Sequence, residues 1–144
     1  MNSIAQNSAL NVAENASAAP SAQNWLPVVG RILIAAIFVL SGISKIADPA
    51  GTLGYIGSTG FPFPALALAA AIGVEVIGGI TLVAGYRVKT VAAALAGFSI
   101  VTALMFHADL ADQNQFIHFF KNIAMAGGLL QIVAFGKNRN ASHS

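Results

Sequence analysis

Four long apolar blocks, separated by short polar joints, dominate the pattern along this chain. They run Leu26–Ile46, Pro64–Val83, Lys89–Phe106 and Ile117–Phe135. Each is close to the ~20 residues that carry an α-helix, at 1.5 Å per residue, across a ~30 Å hydrocarbon layer. The pattern predicts four membrane-spanning helices. It is interrupted by Arg31 and Lys45 near the ends of the first block, Glu75 within the second and Lys121 in the first turns of the fourth. Residues 1–24 are rich in Asn, Ala and Ser, carry one charge, Glu14, and have no helical or strand period. They read as a disordered tail, and with no Lys or Arg ahead of the first block they do not read as a cleaved signal peptide. The membrane domain then covers 25–136, followed by a basic C-terminal tail, 137–144. The joint at 47–63 is a long connecting loop with Gly51, Gly54, Gly57 and Gly60 at every third position. Its Leu53, Tyr55, Ile56, Phe61 and Phe63 are apolar enough to hold it at the membrane interface.

Composition agrees. Residues of the AVILMFWYC set make up 56% of 144, and with 14 Gly the share reaches about two thirds, against ~45–50% in soluble domains. Charged residues are only 8%, so a soluble monomer is excluded. The chain has no Cys, which removes disulfides, thiol nucleophiles, thiolate zinc sites and cysteine-bound iron–sulfur clusters. A redox role would therefore draw on a bound cofactor or a partner subunit. A net charge of +2 without a Lys/Arg cluster gives no nucleic-acid footprint. With four spans, Arg31, Arg87, Lys89, Lys137 and Arg139 fall on one side and only Lys45 and Lys121 on the other. The excess predicts both termini in the cytoplasm.

Small residues predict where helices approach closely, because association in lipid depends on packing. The pairs Ala69/Gly73, Ala93/Gly97 and Ala124/Gly128 have the required spacing, and Gly78-Gly79 and Gly127-Gly128 add notches. The expected fold is an all-α, integral membrane four-helix bundle. Glu75 falls near the middle of its span, with Ala71, Gly78 and Gly79 on its face, so it points into the bundle. If the spans are centred on one another, Arg31 lies about 7 Å to one side of the first centre and Lys45 about 13 Å to the other. Arg31 is then the expected partner of Glu75, as an ion pair or a proton relay. Lys45, His107, Lys121 and Asn122 fall at similar depth at the opposite end, with Ser41 and Ser44. Together they could bind an anion or the carbonyl oxygens of a lipophilic ring compound. The competing reading has both lysines snorkelling to the headgroups and pairing with Asp48 and Asp109. His107 and His118 do not form a metal motif, and no metal is expected.

Several short runs, in order, carry a resemblance. They are Ser41-Gly42-Ile43-Ser44-Lys45, Gly60-Phe61-Pro62-Phe63-Pro64 leading to Glu75 and Gly78-Gly79, Gly85-Tyr86-Arg87, and Lys121-Asn122-Ile123-Ala124 with Gly127-Gly128-Leu129-Leu130. From Pro27 to Gly136 the chain resembles the DoxX family of small bacterial membrane proteins. The resemblance implies a four-helix protein of the bacterial inner membrane, with Arg31, Lys45, Glu75, His107, Lys121 and Asn122 on positions of the family pattern. The family's association with a thiosulfate:quinone oxidoreductase implies a link to quinones. The expected role is a membrane subunit that binds a quinone-like molecule and supports a partner oxidoreductase, rather than a stand-alone enzyme, and no catalytic residue is assigned. The alternatives are an assembly scaffold with no small-molecule site, and a proton-coupled carrier using Glu75, which would require a homo-oligomer.

Overall fold

The computed structural model describes residues 3–8 and 25–137. Residues 3–8 are a short, exposed helical segment. The rest of the expected N-terminal tail, and the C-terminal tail from 138 with Arg139, lie outside the described residues. The other elements are α1 (Leu26–Ala47), α2 (Pro49–Ser58), α3 (Pro64–Ala84), α4 (Val88–Phe106) and α5 (Gln113–Phe135). All but α2 are long and apolar enough to cross a membrane. There are no strands among the described residues.

The helix ends follow local chemistry. Proline occupies the first turn of α1, α2 and α3, where its missing N–H is not needed. The Asp48 carboxylate accepts from the Gly51 amide at the start of α2, and Asp112 accepts from Gln115 at the start of α5. α3 stops at Gly85, whose φ of 76° is left-handed. There the Gly85 and Tyr86 amides donate back to Leu82 and Thr81, the pairing that closes a helix on a left-handed glycine.

The joint expected to be a loop is largely the helix α2. Glycine costs a helix about 1 kcal/mol per residue against alanine, which argued for a loop. The Asp48 cap, Pro49 and burial of Ile56 offset that cost.

α1 packs extensively on α3, and α4 on α5; α3 and α4 join the two pairs, and α1 meets α5 along a thinner seam. The core is formed by Ala35, Phe38, Leu82, Val88, Ala92, Leu95, Ala96, Ala126 and Leu129. Leu33, Leu40, Leu66, Ile77 and Leu130 point outward, as lipid-facing positions do. The close approaches use Gly42, Gly78, Gly79 and Gly128: a Cβ at Gly79 would lie 2.7 Å from Val39 and one at Gly78 2.9 Å from Leu95. Gly73, Gly97 and Gly127 have open space instead, so those three expected notches face away from a neighbour.

Candidate functional site

The register of α1 on α3 determines which charges meet. Gly42 lies against Glu75 and Val76, and Gly79 against Ala35 and Val39. Glu75 is therefore level with about residue 42, not with the middle of α1. Lys45 is only about 4 Å further along the axis, while Arg31 is about 17 Å away in the other direction. Side chains lean toward the N-terminus of their own helix. In this antiparallel pair Lys45 leans toward the middle and Glu75 leans toward it, whereas Arg31 leans away.

The structure accordingly pairs Glu75 with Lys45 and not with Arg31. Lys45 Nζ donates to both carboxylate oxygens, at 3.0 and 2.9 Å, and to Ser41 Oγ at 2.8 Å. Ser41 Oγ in turn donates to Glu75 Oε1 at 3.1 Å. Glu75 is 5% exposed, so this closed triangle is what makes a carboxylate tolerable between the helices. Arg31 instead donates to the Lys137 carbonyl at 3.5 Å, and Lys89 donates to the Ala134 carbonyl. Both cations thus lie at the C-terminal end of α5, where a helix dipole favours positive charge. The Arg31 Nε is buried without a partner.

The pairings expected of snorkelling lysines are not made either. Asp48 caps α2, Asp109 accepts from the Ala111 amide, and Lys121 Nζ lies 2.9 Å from His118 Nδ1. An ammonium can only donate, so His118 accepts through Nδ1. The imidazoles of His107 and His118 stack with centroids 5.0 Å apart. His107 Nδ1 is 2.7 Å from Gln115 Oε1. The Gln115 amide donates to the Tyr55 hydroxyl at 3.3 Å, and Tyr55 donates to the Phe106 carbonyl at 2.6 Å. Asn122 is buried and donates to the His118 carbonyl.

These groups surround one cavity of about 600 Å³ at the α2 end of the bundle, within the range of small-molecule sites. Lys45, Glu75, His107, His118, Lys121 and Asn122 all line it, so five of the six sequence-derived candidates are brought together, Glu75 and its partner Lys45 among them. Arg31 stands apart. The cavity's other walls are mostly apolar, among them Ile37, Phe38, Val74, Phe98, Met105 and Met125. Lys45 is saturated by Glu75 and Ser41, whereas Lys121 has no carboxylate within ion-pair distance among the described residues. The charge available to a ligand is therefore that of Lys121, with Asn122 and the imidazoles as hydrogen-bonding groups. No group of three metal-ligating side chains exists among the described residues. Tyr55 and Gln115 were not legible as site residues. Both sit in segments separated from His107 by connections whose folding the residue pattern does not reveal.

Comparison with known proteins gives a consistent answer. The DoxX family model matches residues 26–108. The inner membrane protein YqjF of Escherichia coli K12 is 35% identical over 109 residues, covering 76% of this chain and 82% of its own. The inner membrane protein YphA of the same organism is 30% identical over 122 residues, covering 81% of this chain and 86% of its own. No solved structure matches. With the apolar spans, the glycine-set helix register and these matches together, the chain belongs to the DoxX family of integral membrane proteins.

Proposed function

We propose that this protein is an inner-membrane subunit that binds a quinone-like, lipophilic carbonyl compound and supports a partner oxidoreductase. The observation that carries the reading is the cavity, apolar on most of its walls and provided at one end with Lys121, Asn122 and the His107–His118 stack. Ring carbonyl oxygens accept hydrogen bonds, and an ammonium without a carboxylate partner is a strong donor to them in a low-dielectric site. Lys45 has a different role from the one expected of it: held by Glu75 and Ser41, it positions the first wall of the cavity. With no Cys in the chain, electron transfer belongs to the partner polypeptide. Both termini lie on the cytoplasmic side in this reading, supported by Arg31, Arg87, Lys89 and Lys137 at that end of the bundle.

The test is binding of decyl-ubiquinone and of menadione to the purified protein in nanodiscs, by titration calorimetry. Lys121→Met is expected to weaken binding about tenfold, the equivalent of one charge-assisted hydrogen bond, with thermal stability unchanged. Equal affinity in the two proteins would refute the reading.

A further inference from the structure

The cavity wall is not closed on every side. Gly78 of α3 touches Leu95 of α4, where an added Cβ would lie 2.9 Å from the leucine. About 12 Å further toward the α2 end, the same two helices present Ala67, Ala70, Val101 and Met105, and the cavity lies between them. Small side chains on α3 leave the space that larger ones would fill. Of these lining residues Val101 is 51% and Met105 47% exposed, and Ala70 is exposed as well. All three are apolar and lie within membrane spans, so their outer surfaces face lipid. The remaining exposed lining residues, Asp48, Gly51, Tyr55 and Lys121, are outside this pair of helices. Lys121 and Asn122 stand on α5, and neither belongs to the two helices that frame the gap.

We propose that the cavity opens sideways into the bilayer between α3 and α4, and that its ligand is a membrane-resident amphiphile. Its polar head reaches Lys121 and Asn122 while its tail stays in the lipid through this window. The inference rests on the ligand-binding reading given above and adds the route and the ligand class. A cavity of about 600 Å³ holds a ring and the first part of a tail, and the window removes the need to enclose the rest. Binding from within the membrane also spares the ligand any passage through water, where its tail would be costly to hydrate.

The chain has a single tryptophan, Trp25, which allows the window to be tested without any ligand. Phe98 lines the cavity; Phe98→Trp in a Trp25→Phe background is reconstituted in vesicles of brominated-chain phosphatidylcholine and its emission compared with that in the unbrominated lipid. Strong quenching is expected, relieved severalfold by adding Ala70→Phe, which plugs the window. It is not relieved by Ile77→Phe, on an outward face of the same helix. Quenching that Ala70→Phe leaves unchanged, or no quenching at all, overturns the window. In nanodiscs, Ala70→Phe is further expected to weaken a long-tailed ubiquinone about tenfold and a tail-less benzoquinone less than about twofold. Equal losses for both overturn the tail placement. If the unmodified protein binds neither quinone, the ligand reading fails, and the quenching comparison still decides the window.

Discussion

Removing the ammonium from the Lys45–Glu75 pair is the sharpest perturbation of this bundle. Lys45→Met keeps an apolar stem of similar length but leaves Glu75, 5% exposed, with only the Ser41 hydroxyl near its carboxylate. Breaking a fully buried pair by deleting one partner costs about 3–5 kcal/mol. The Lys45 side chain is 22% exposed, so water already screens part of the interaction, and about 2–3 kcal/mol is expected. Glu75→Gln is milder, at about 1–2 kcal/mol, because an amide oxygen still accepts from Lys45 and Ser41. The double variant should cost less than the two single losses combined, with a coupling energy of about 1–2 kcal/mol. Reversible unfolding in dodecyl maltoside, followed by circular dichroism, measures all four proteins. Arg31→Ala provides the contrast: about 17 Å from Glu75 along the helix axis, it should couple to Glu75→Gln by less than about 0.5 kcal/mol. A coupling near zero for Lys45 with Glu75, or an equal coupling for Arg31, would refute the assigned pairing.

Three further outcomes are expected, two from the packing and contacts and one from the charge asymmetry. Gly79→Ala should destabilise by about 1–3 kcal/mol, because its Cβ would lie 2.7 Å from Val39 and 3.2 Å from the Ala35 carbonyl; Gly73→Ala, with open space around it, should be neutral or stabilising in the same thermal assay. Tyr55→Phe removes the hydroxyl that joins α2 to Phe106 and Gln115, and should raise amide hydrogen exchange in 49–58 while costing about 1 kcal/mol. A C-terminal alkaline phosphatase fusion should be inactive and the equivalent fluorescent-protein fusion bright; the opposite pattern would reverse the proposed orientation.

What the residue pattern alone determined is the set of spans. Four apolar blocks predict the four long helices to within a few residues at most ends, because lipid leaves a backbone no other way to satisfy its hydrogen bonds within one segment. Glu75 as an inward-facing group, and the grouping of Lys45, His107, Lys121 and Asn122 at one end, were legible for the same reason: polar side chains in a span have few places to go. The partner of Glu75 was not legible. Centring the spans on one another is a reasonable first estimate, but the α1–α3 register is set by the close approaches at Gly42 and Gly79. Those contacts slide one helix past the other by about two turns, which brings Lys45 to Glu75 and takes Arg31 to the end of α5. The helix α2 was hidden by its glycines, whose weak propensity is overcome only by the Asp48 cap and the burial of Ile56. Tertiary structure alone also decided which notches pack and which face lipid, and the Tyr55–Gln115–His107 chain. Side-chain lean and helix register act between segments, and a linear pattern records only the face each residue occupies on its own helix.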